Sequence, residues 1–279
     1  MKGSILSKMI NLVIALKCEA KPLIRHYGLK SRPNILPFPV YASDAMRLIV
    51  SGPGKTAASN AAACLYEISG RKADEAWLNI GVGGHAYFPI GAGFLAHKIK
   101  DTENKKSWYP PLLFECPPQT ASVLTVSRVE KQYKSSWVYE MEAAGFVAAA
   151  VKYSTGELIH CYKMISDNSA SPASRISASL VEHLLEKHLS TIDPLIKKMD
   201  ALSNQLKDIQ KEPEELARFL KEWHFTFSEQ VQLKKLLRRW RALNPAENVW
   251  REEELLVLDS ANKVIQRLRE RVNQKPVLL

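Results

Sequence analysis

The sequence has 279 residues, of which 46% are hydrophobic and 24% are charged, and this is enough for one α/β domain with a sizeable core plus an appendage. The net charge is +10, but the excess is spread along the chain, with 22 Lys and Arg against 15 Asp and Glu in residues 1–190 and 17 against 14 in residues 191–279. Nucleic acid is therefore not expected as a partner, and no membrane association is expected either, because the first apolar run, 10–16, is only seven residues long.

The four cysteines lie far apart, and no two of them form a C-x-x-C pair. Scattered cysteines among Ala, Ile and Val are typical of reduced, buried thiols, so we predict a cytoplasmic location. No spacing of Cys and His matches a zinc site, and we expect neither a metal ion nor an organic cofactor. The cysteines are Cys18, Cys64, Cys116 and Cys161.

Hydrophobic runs and glycines predict alternating strands and helices in the first part of the chain. Short apolar runs rich in β-branched residues indicate buried strands, and an Ala-rich segment that stops at Gly70 indicates a helix. The order strand, glycine turn, helix, strand is typical of a sheet with largely parallel neighbours. The predicted elements are a strand at 10–16, a helix at 18–27, a strand at 47–50, a helix at 56–69, a strand at 76–80 and a glycine turn at 81–84.

The middle of the chain is less regular at first. Residues 86–120 are rich in Pro and aromatic residues, and we predict a long hairpin or loop there. The regular pattern then returns and extends the α/β prediction. It comprises a strand at 122–126, a helix at 142–151, a strand at 158–165 and a helix from Pro172 to about 188.

The character of the sequence changes at Pro194, beyond which only helical patterns occur. We therefore divide the chain into a domain at 1–192 and an all-helical C-terminal appendage at 193–279. Ser228 is the predicted N-cap of one of the helices. The predicted helices span 195–211, 213–223, 229–242 and 247–273.

Three carboxylates follow predicted strands at points where a helix is about to begin. Glu19 comes after the first strand, Glu142 opens the Ala-rich helix, and Asp167 follows the strand at 158–165. The carboxyl ends of strands in an open sheet form a common crevice, so these side chains can converge there. Cleavage of an N-glycosidic bond to a purine needs such groups: a carboxylate on the ribose hydroxyls, an acid that protonates the leaving base, and a nucleophile on the opposite face of the sugar.

Five segments occur in an order that resembles the nucleoside phosphorylase/nucleosidase superfamily, and most of all its methylthioadenosine/S-adenosylhomocysteine nucleosidases. The resemblance covers about residues 10–190, and its most specific motif is Glu-Met-Glu-Ala-Ala. It implies a three-layer α/β/α fold with a twisted mixed central sheet, in a homodimer. The segments are Val-Ile-Ala-Leu-Lys-Cys-Glu at 13–19, Ser-Gly-Pro-Gly-Lys at 51–55, Asn-Ile-Gly-Val-Gly-Gly at 79–84, Glu-Met-Glu-Ala-Ala at 140–144 and Lys-Met-Ile-Ser-Asp at 163–167.

The resemblance also implies roles for individual residues. Asp167 would hydrogen-bond and protonate the purine at N7, Glu142 would bind the ribose hydroxyls, and Met141 would pack against the sugar. Glu19 would position or deprotonate the attacking water, and Lys163 stands where the nucleosidases usually have an arginine near that water. The remaining expected substrate-binding positions are Glu140, Ser166, Gly81 and Val82.

The choice of nucleophile can be argued from the residues. Phosphorolysis needs a site for a dianion, built from arginine and hydroxyl donors. The positions at which phosphorylases of this superfamily carry them are occupied here by Asn79 and Val82. A carboxylate at Glu19 would also repel phosphate, so hydrolysis is favoured over phosphorolysis.

We therefore expect a purine nucleosidase that acts on a 5′-modified or 5′-deoxy adenosine. A phosphate-dependent phosphorylase is the alternative among enzymes. A nucleoside-sensing or scaffold protein that works through the helical region is the alternative outside them. The stretch that should contact the base is short, and Ser127, Arg128 and Tyr133 within it have no assigned roles.

Overall fold

A computed structural model describes residues 9–33, 37–71, 75–113, 119–133, 136–210, 213–244 and 258–274, with the side chains of 207–210 left out. The chain divides into two compact units, residues 1–204 and residues 205–279. No helix within these described ranges is long and apolar enough to cross a membrane.

A mixed sheet of ten strands forms the centre of the first unit, as counted in the described residues. It combines parallel and antiparallel pairs, and this confirms the predicted α/β class with a mixed sheet. The strands are β1 (Ile10–Ile14), β2 (Lys30–Ser31), β3 (Val40–Ala42), β4 (Met46–Val50), β5 (Ala76–His85), β6 (Gly93–Asp101), β7 (Ser107–Trp108), β8 (Thr120–Thr125), β9 (Val138–Glu140) and β10 (Ile159–Asn168).

One part of the sheet closes on itself. β10 pairs in parallel with β5 and antiparallel with β6, β6 pairs with β8, β8 with β9, and β9 returns to β5. The other part continues outward from β5 through β1, β4, β3 and β2. β1 is buried at all five positions because it lies between two parallel neighbours, β4 and β5.

Helices cover both faces of the sheet. They are α1 (Lys17–His26), α2 (Lys55–Ile68) and α3 (Ala143–Ala150). Val13 of β1 packs in one cluster with Ala58 of α2 and Phe146 of α3. Leu12 alternates with Val13 and is also fully buried, so it points to the opposite face, where α1 contacts β1. The expected layers of helix, sheet and helix are thus present.

The glycine-rich segment 81–84 is not the predicted turn, because β5 continues through it to His85. The glycines instead let other chain segments approach the strand. A Cβ atom on Gly83 would lie 2.8 Å from the carbonyl oxygen of Tyr139 and 2.9 Å from Cγ1 of Val138. Glycine content indicated a turn, whereas pairing with β9 and β10 holds the segment extended.

The prediction of a long hairpin or loop at 86–120 is confirmed in part, because β6 and β7 pair antiparallel and form a hairpin within it. This stretch contains the nine-residue strand β6 and the short strand β7. β6 is stabilised by long-range pairing with β8 and β10, and local composition does not reveal such pairing.

A single helix, α4 (Ala178–Gln210), replaces the predicted break before residue 195. Pro194 lies inside it, although proline has no N–H to donate to the carbonyl of the residue four positions earlier. Ser177 caps the start of α4, because its Oγ accepts from the backbone N–H of Leu180 at 3.1 Å. The boundary between the two units, after Asn204, falls within this helix.

The second unit contains α5 (Leu216–Glu222), α6 (Phe227–Leu243) and α7 (Ala261–Gln274) among its described residues. Apolar side chains from all three helices, such as Phe219, Trp240 and Leu268, form one core. The N-cap of α6 is Thr226 rather than the predicted Ser228, because Thr226 forms a capping box with Glu229. The first part of the last predicted helix, 247–257, lies outside the described residues.

Candidate active site

A cavity of about 710 Å³ opens at the carboxyl ends of β1, β5, β9 and β10, and its volume is in the usual range for small-molecule sites. Its wall combines apolar side chains with five carboxylates. The predicted site residues among its lining are Glu19, Val82, Glu140, Met141, Glu142, Ser166 and Asp167.

Glu19 is fixed by two backbone N–H groups. Its Oε2 accepts from Leu16 at 2.9 Å, and its Oε1 accepts from Val82 at 2.9 Å. Burial raises the pKa of Glu19 to about 7, although the two N–H groups and the charge of Lys163 oppose the rise. The carboxylate is therefore close to half ionised at neutral pH, where it is able to accept a proton.

Glu140 is held by several donors at once. The Lys163 ammonium lies 2.8 Å from its Oε2, and less than about one hundredth of either side chain is exposed. Thr125 donates to Oε1 at 2.5 Å, and the backbone N–H groups of Glu142 and Ala143 donate to Oε2 at 3.0 and 2.8 Å. Burial alone would raise the pKa of Glu140, but the charge and hydrogen bonds around it outweigh burial and lower that pKa.

Lys163 stays charged in this environment. Burial lowers its pKa, but the carboxylates of Glu140 and Glu142 raise it further, and the net shift is upward. Lys163 does not appear in the cavity wall; it lies behind it, as does Gly81. A Cβ on Gly81 would lie 3.0 Å from Oε1 of Glu19 and 3.5 Å from Nζ of Lys163, so the glycine lets these two groups approach.

Glu142 is the N-cap residue of α3, and its Oε1 accepts from the backbone N–H of Gly54 at 2.8 Å. Gly54 has a φ of 101°, a conformation that favours glycine. Burial and the neighbouring Glu140 raise the pKa of Glu142, while Lys163 lowers it. Met141 lines the cavity beside Glu142, so both residues of this pair face the same space.

Asp167 lies near the end of β10, where the register with β5 shifts between Ile165 and Asp167. Such a bulge redirects side chains. Ser166 donates to Oδ1 of Asp167 at 2.6 Å, and the Tyr133 hydroxyl donates to Oδ2. Burial raises the pKa of Asp167 to about 6, so a proton is available on it in mildly acidic solution.

Tyr133 is the site residue that sequence reasoning did not assign. It lines the cavity, and its ring centre lies 5.4 Å from that of Tyr139. The one signal in the sequence is an aromatic hydroxyl in the short stretch before Glu140. Asn79, by contrast, points into the sheet, where its Nδ2 donates to the carbonyl of Val13 at 2.8 Å.

No cluster of three or more His, Cys, Asp or Glu side chains in the described ranges has an arrangement that could hold a metal ion. The carboxylates of the site are engaged instead by backbone N–H groups, hydroxyls and Lys163.

No protein-family model and no curated protein sequence matches the chain. Solved structures do match, and they show the fold, which this chain shares with methylthioadenosine/S-adenosylhomocysteine nucleosidases and a futalosine hydrolase. The resemblance predicted from the sequence is thereby confirmed at the level of the fold.

Three of the similar structures show the extent of the likeness. The enzyme from S. pneumoniae with a transition-state inhibitor has a TM-score of 0.55 and 14% identity, over 68% of this chain and 98% of that one. The one from Colwellia psychrerythraea in complex with adenine has a TM-score of 0.53 and 16% identity, over 70% and 95%. A futalosine hydrolase mutant of Helicobacter pylori has a TM-score of 0.50 and 12% identity, over 68% and 99%.

Proposed function

We propose that the protein is a purine nucleosidase that hydrolyses the N-glycosidic bond of a 5′-modified or 5′-deoxy adenosine. The observation that carries this proposal is the presence of Glu19, Glu142 and Asp167 on one cavity wall, each held differently. The similarity in fold to nucleosidases supports it. Assembly as a homodimer and a cytoplasmic location stay predictions from the sequence.

The proposed reaction assigns one task to each carboxylate. Glu142 holds the ribose hydroxyls, and Asp167 gives a proton to N7 of the purine while the bond between C1′ and the base breaks, so the bonding electrons leave with a neutral base. A water oxygen bonds to C1′ and passes its proton to Glu19. The products are the free base and the free sugar, and the two proton transfers leave Asp167 ionised and Glu19 protonated.

The charge of the cavity favours water over phosphate. Five of its lining residues are acidic, and Lys131 is the one Lys or Arg among the lining residues that the structure describes. A phosphate dianion would be repelled by Glu19, Glu142 and Asp167, whereas neutral water would not. Val82 offers no hydroxyl, and its N–H already donates to Glu19.

Lys163 belongs to the proposal as a positioning residue. Its ammonium contacts Glu140 rather than the cavity, and it lowers the pKa of Glu19 through space. It therefore keeps Glu19 able to ionise near neutral pH, and with Glu140 it anchors the backbone that carries Glu142.

The test is a release assay with the purified full chain. A panel of adenosine derivatives that differ at the 5′ position is incubated with and without phosphate, and free base is quantified. We expect base release without phosphate, and Asp167→Asn to lower kcat by about 100-fold or more, because general acid catalysis contributes about 10²–10⁴. Asp44→Asn is the matched control, since Asp44 is exposed and outside the cavity wall.

Other outcomes would contradict the proposal. Strict dependence on phosphate would show a phosphorylase instead. No release, together with thermal stabilisation by a nucleoside, would support a sensor. Unchanged turnover in Asp167→Asn would remove the general-acid role from Asp167.

A further inference from the structure

Asp167 accepts one hydroxyl on each oxygen, and the two hydroxyls differ in their surroundings. Both belong to the cavity lining, but Ser166, which donates to Oδ1, is 2% exposed, and its Oγ also lies 3.4 Å from the carbonyl oxygen of Gly83 in β5. Tyr133, which donates to Oδ2, is only half-buried. Oδ1 is therefore held by a hydroxyl buried against the sheet, and Oδ2 by the more exposed of the two hydroxyls.

Gly84 of β5 provides the space in which the Tyr133 phenol meets Asp167. A Cβ at Gly84 would lie 2.6 Å from Oδ2 of Asp167 and 2.6 Å from Cζ of Tyr133. Real Cβ atoms do not tolerate such distances, so only glycine lets the phenol and the carboxylate lie side by side there. The contact is therefore shaped by the fold of β5 as well as by the two side chains.

A purine that takes a proton from Asp167 must occupy the position beside Oδ2 that the Tyr133 hydroxyl holds. Its N7 is an acceptor with no hydrogen, so it pairs with a protonated carboxyl group, whereas a phenol donates its hydrogen to an ionised carboxylate. Oδ2 is held by the more exposed hydroxyl and is the oxygen that a base in the cavity would reach by displacing one side chain, so the phenol and the base compete for it. The two partners also require different protonation states of Asp167.

We propose that Tyr133 is a capping residue of the general acid: its hydroxyl holds Oδ2 of Asp167 until a purine base displaces it. This inference rests on the proposed nucleosidase function and adds to it a residue that determines which ligands bind. A ligand that offers no ring-nitrogen acceptor to Asp167 does not compensate for the lost phenol contact, so Tyr133 selects against it. Base binding is accompanied by the uptake of one proton on Asp167, which the solvent supplies.

The alternative is that Tyr133 stays on Asp167 during the reaction and positions it. The two possibilities differ in kinetics. A cap opposes binding, so its removal lowers KM and the Kd of the free base and leaves kcat unchanged. A positioning residue acts in the transition state, so its removal lowers kcat.

The experiment compares the wild type with Tyr133→Phe, which keeps the ring and deletes the hydroxyl. Adenine binding is measured by calorimetry in two buffers of different ionisation enthalpy, and nucleoside turnover is measured in parallel. We expect at least a fivefold lower Kd for adenine, a similar fall in KM, a kcat within twofold, and uptake of about one proton on binding in the wild type but less in the variant near pH 7.

Tyr87→Phe is the matched control, because Tyr87 is 78% exposed and is outside the cavity wall; it should leave all these values unchanged. An unchanged or higher Kd in Tyr133→Phe would overturn the capping role. A tenfold lower kcat at constant KM would overturn it in favour of positioning.

A readout that needs no ligand separates this inference from the proposed function. The titration of the Asp167 carboxyl carbon is followed by NMR in the ligand-free wild type and in Tyr133→Phe. Loss of a donor to the ionised form moves the pKa of Asp167 upward, and an unchanged titration would overturn the cap even if no nucleoside is cleaved. The other titratable groups around Asp167 are the same in both proteins: Glu19, His85, Glu130, Lys131, Glu140 and Glu142.

Discussion

At the residue scale, the main feature of the site is that it buries more acidic groups than basic ones. Glu19, Glu140, Glu142 and Asp167 are all at most 8% exposed, and Lys163 is the buried cation among them. Four ionised carboxylates cannot be balanced by one ammonium in so dry a region. Glu140 takes Lys163 as its partner, and the pKa values of the other three carboxylates are raised. The proposed proton transfers use two of these three, Glu19 and Asp167.

These shifts predict a narrow pH optimum. Glu19 must be ionised to accept a proton, which is favoured above about 7, and Asp167 must be protonated to donate one, which is favoured below about 6. The competent form is a minority at every pH, and its population is greatest near the midpoint of the two values. We expect a bell-shaped dependence of kcat/KM on pH with a maximum near pH 6.5. On either side kcat/KM should fall by up to about tenfold per pH unit.

Initial rates at low substrate concentration across about pH 4.5–8.5 measure this profile, with circular dichroism as the control for unfolding. A flat plateau from about pH 7 to 8.5 would contradict the assigned proton transfers, because Asp167 has lost its proton there.

The carboxylates could be predicted from the sequence, whereas Tyr133 could not. Glu142 and Asp167 lie in short sequence motifs, and their position beside a strand end follows from the local sequence pattern. The role of Tyr133 depends on an approach over Gly84, which belongs to β5 and lies far away in sequence. Likewise, Lys163 pairs with Glu140 only because β9 and β10 belong to the same closed sheet.

At the element scale, the starts of α2 and α3 are packed closely enough to exclude a side chain. A Cβ at Gly145 would lie 2.6 Å from the carbonyl carbon of Lys55 and 2.7 Å from its Cα. Gly54, one residue before α2, donates to Glu142, one residue before α3. The approach of the two helices therefore determines where the carboxylate of Glu142, the proposed ligand of the ribose, lies.

Gly145→Ala should push the two helix starts apart. Overpacking of this kind costs about 1–3 kcal/mol, which exceeds the gain of about 1 kcal/mol from the better helix propensity of alanine. We expect a lower free energy of unfolding in urea and a higher KM at nearly constant kcat. The reason is that moving the helix starts apart stretches the hydrogen bond from Gly54 to Glu142.

Gly156→Ala is the matched control, since the nearest atom to its Cβ would be Cδ of Pro111 at an ordinary 3.8 Å. Equal stability of the wild type and Gly145→Ala, with equal KM, would show that the helices move apart without consequence.

The elements themselves followed the sequence where local patterns decided them, as for β1, β4 and α2. The elements differ from the sequence prediction where pairing with distant segments of the chain determines the structure. The glycines of 81–84 are extended because β9 and β10 pair with them, and β6 forms inside a Pro-rich stretch because it has strands on both sides. Pro194 did not end α4, since a long helix continues through the loss of one hydrogen bond.

At the scale of the whole molecule, every cavity-lining residue among those that the structure describes lies between Ala15 and Val181, and thus within the first unit. About a third of this chain has no counterpart in the nucleosidase structures, although nearly all of each neighbour is matched. The second unit has its own apolar core, which suits a part that folds by itself.

We predict that a chain that ends at Gln210, the last residue of α4, retains base release with a kcat within about threefold of the full chain. The reason is that the truncation removes none of the residues described as lining the cavity. Turnover and cooperative thermal unfolding of both chains are the measurements. A folded but inactive shorter chain would show that residues 211–279 contribute to catalysis.

The closed part of the sheet has a consequence for how the protein is made. β10 is the last of its five strands in the chain, and it joins β5, whose partner residues lie more than 70 positions earlier, as in the pair Trp77 and Ile159. Contacts between such distant segments form late, since the loop between them must first lose its freedom. Asp167 lies on that final strand, so in a growing chain the proposed acid–base pair of Asp167 and Glu19 is incomplete until this part of the sheet has closed, and we expect partly folded intermediates to be inactive.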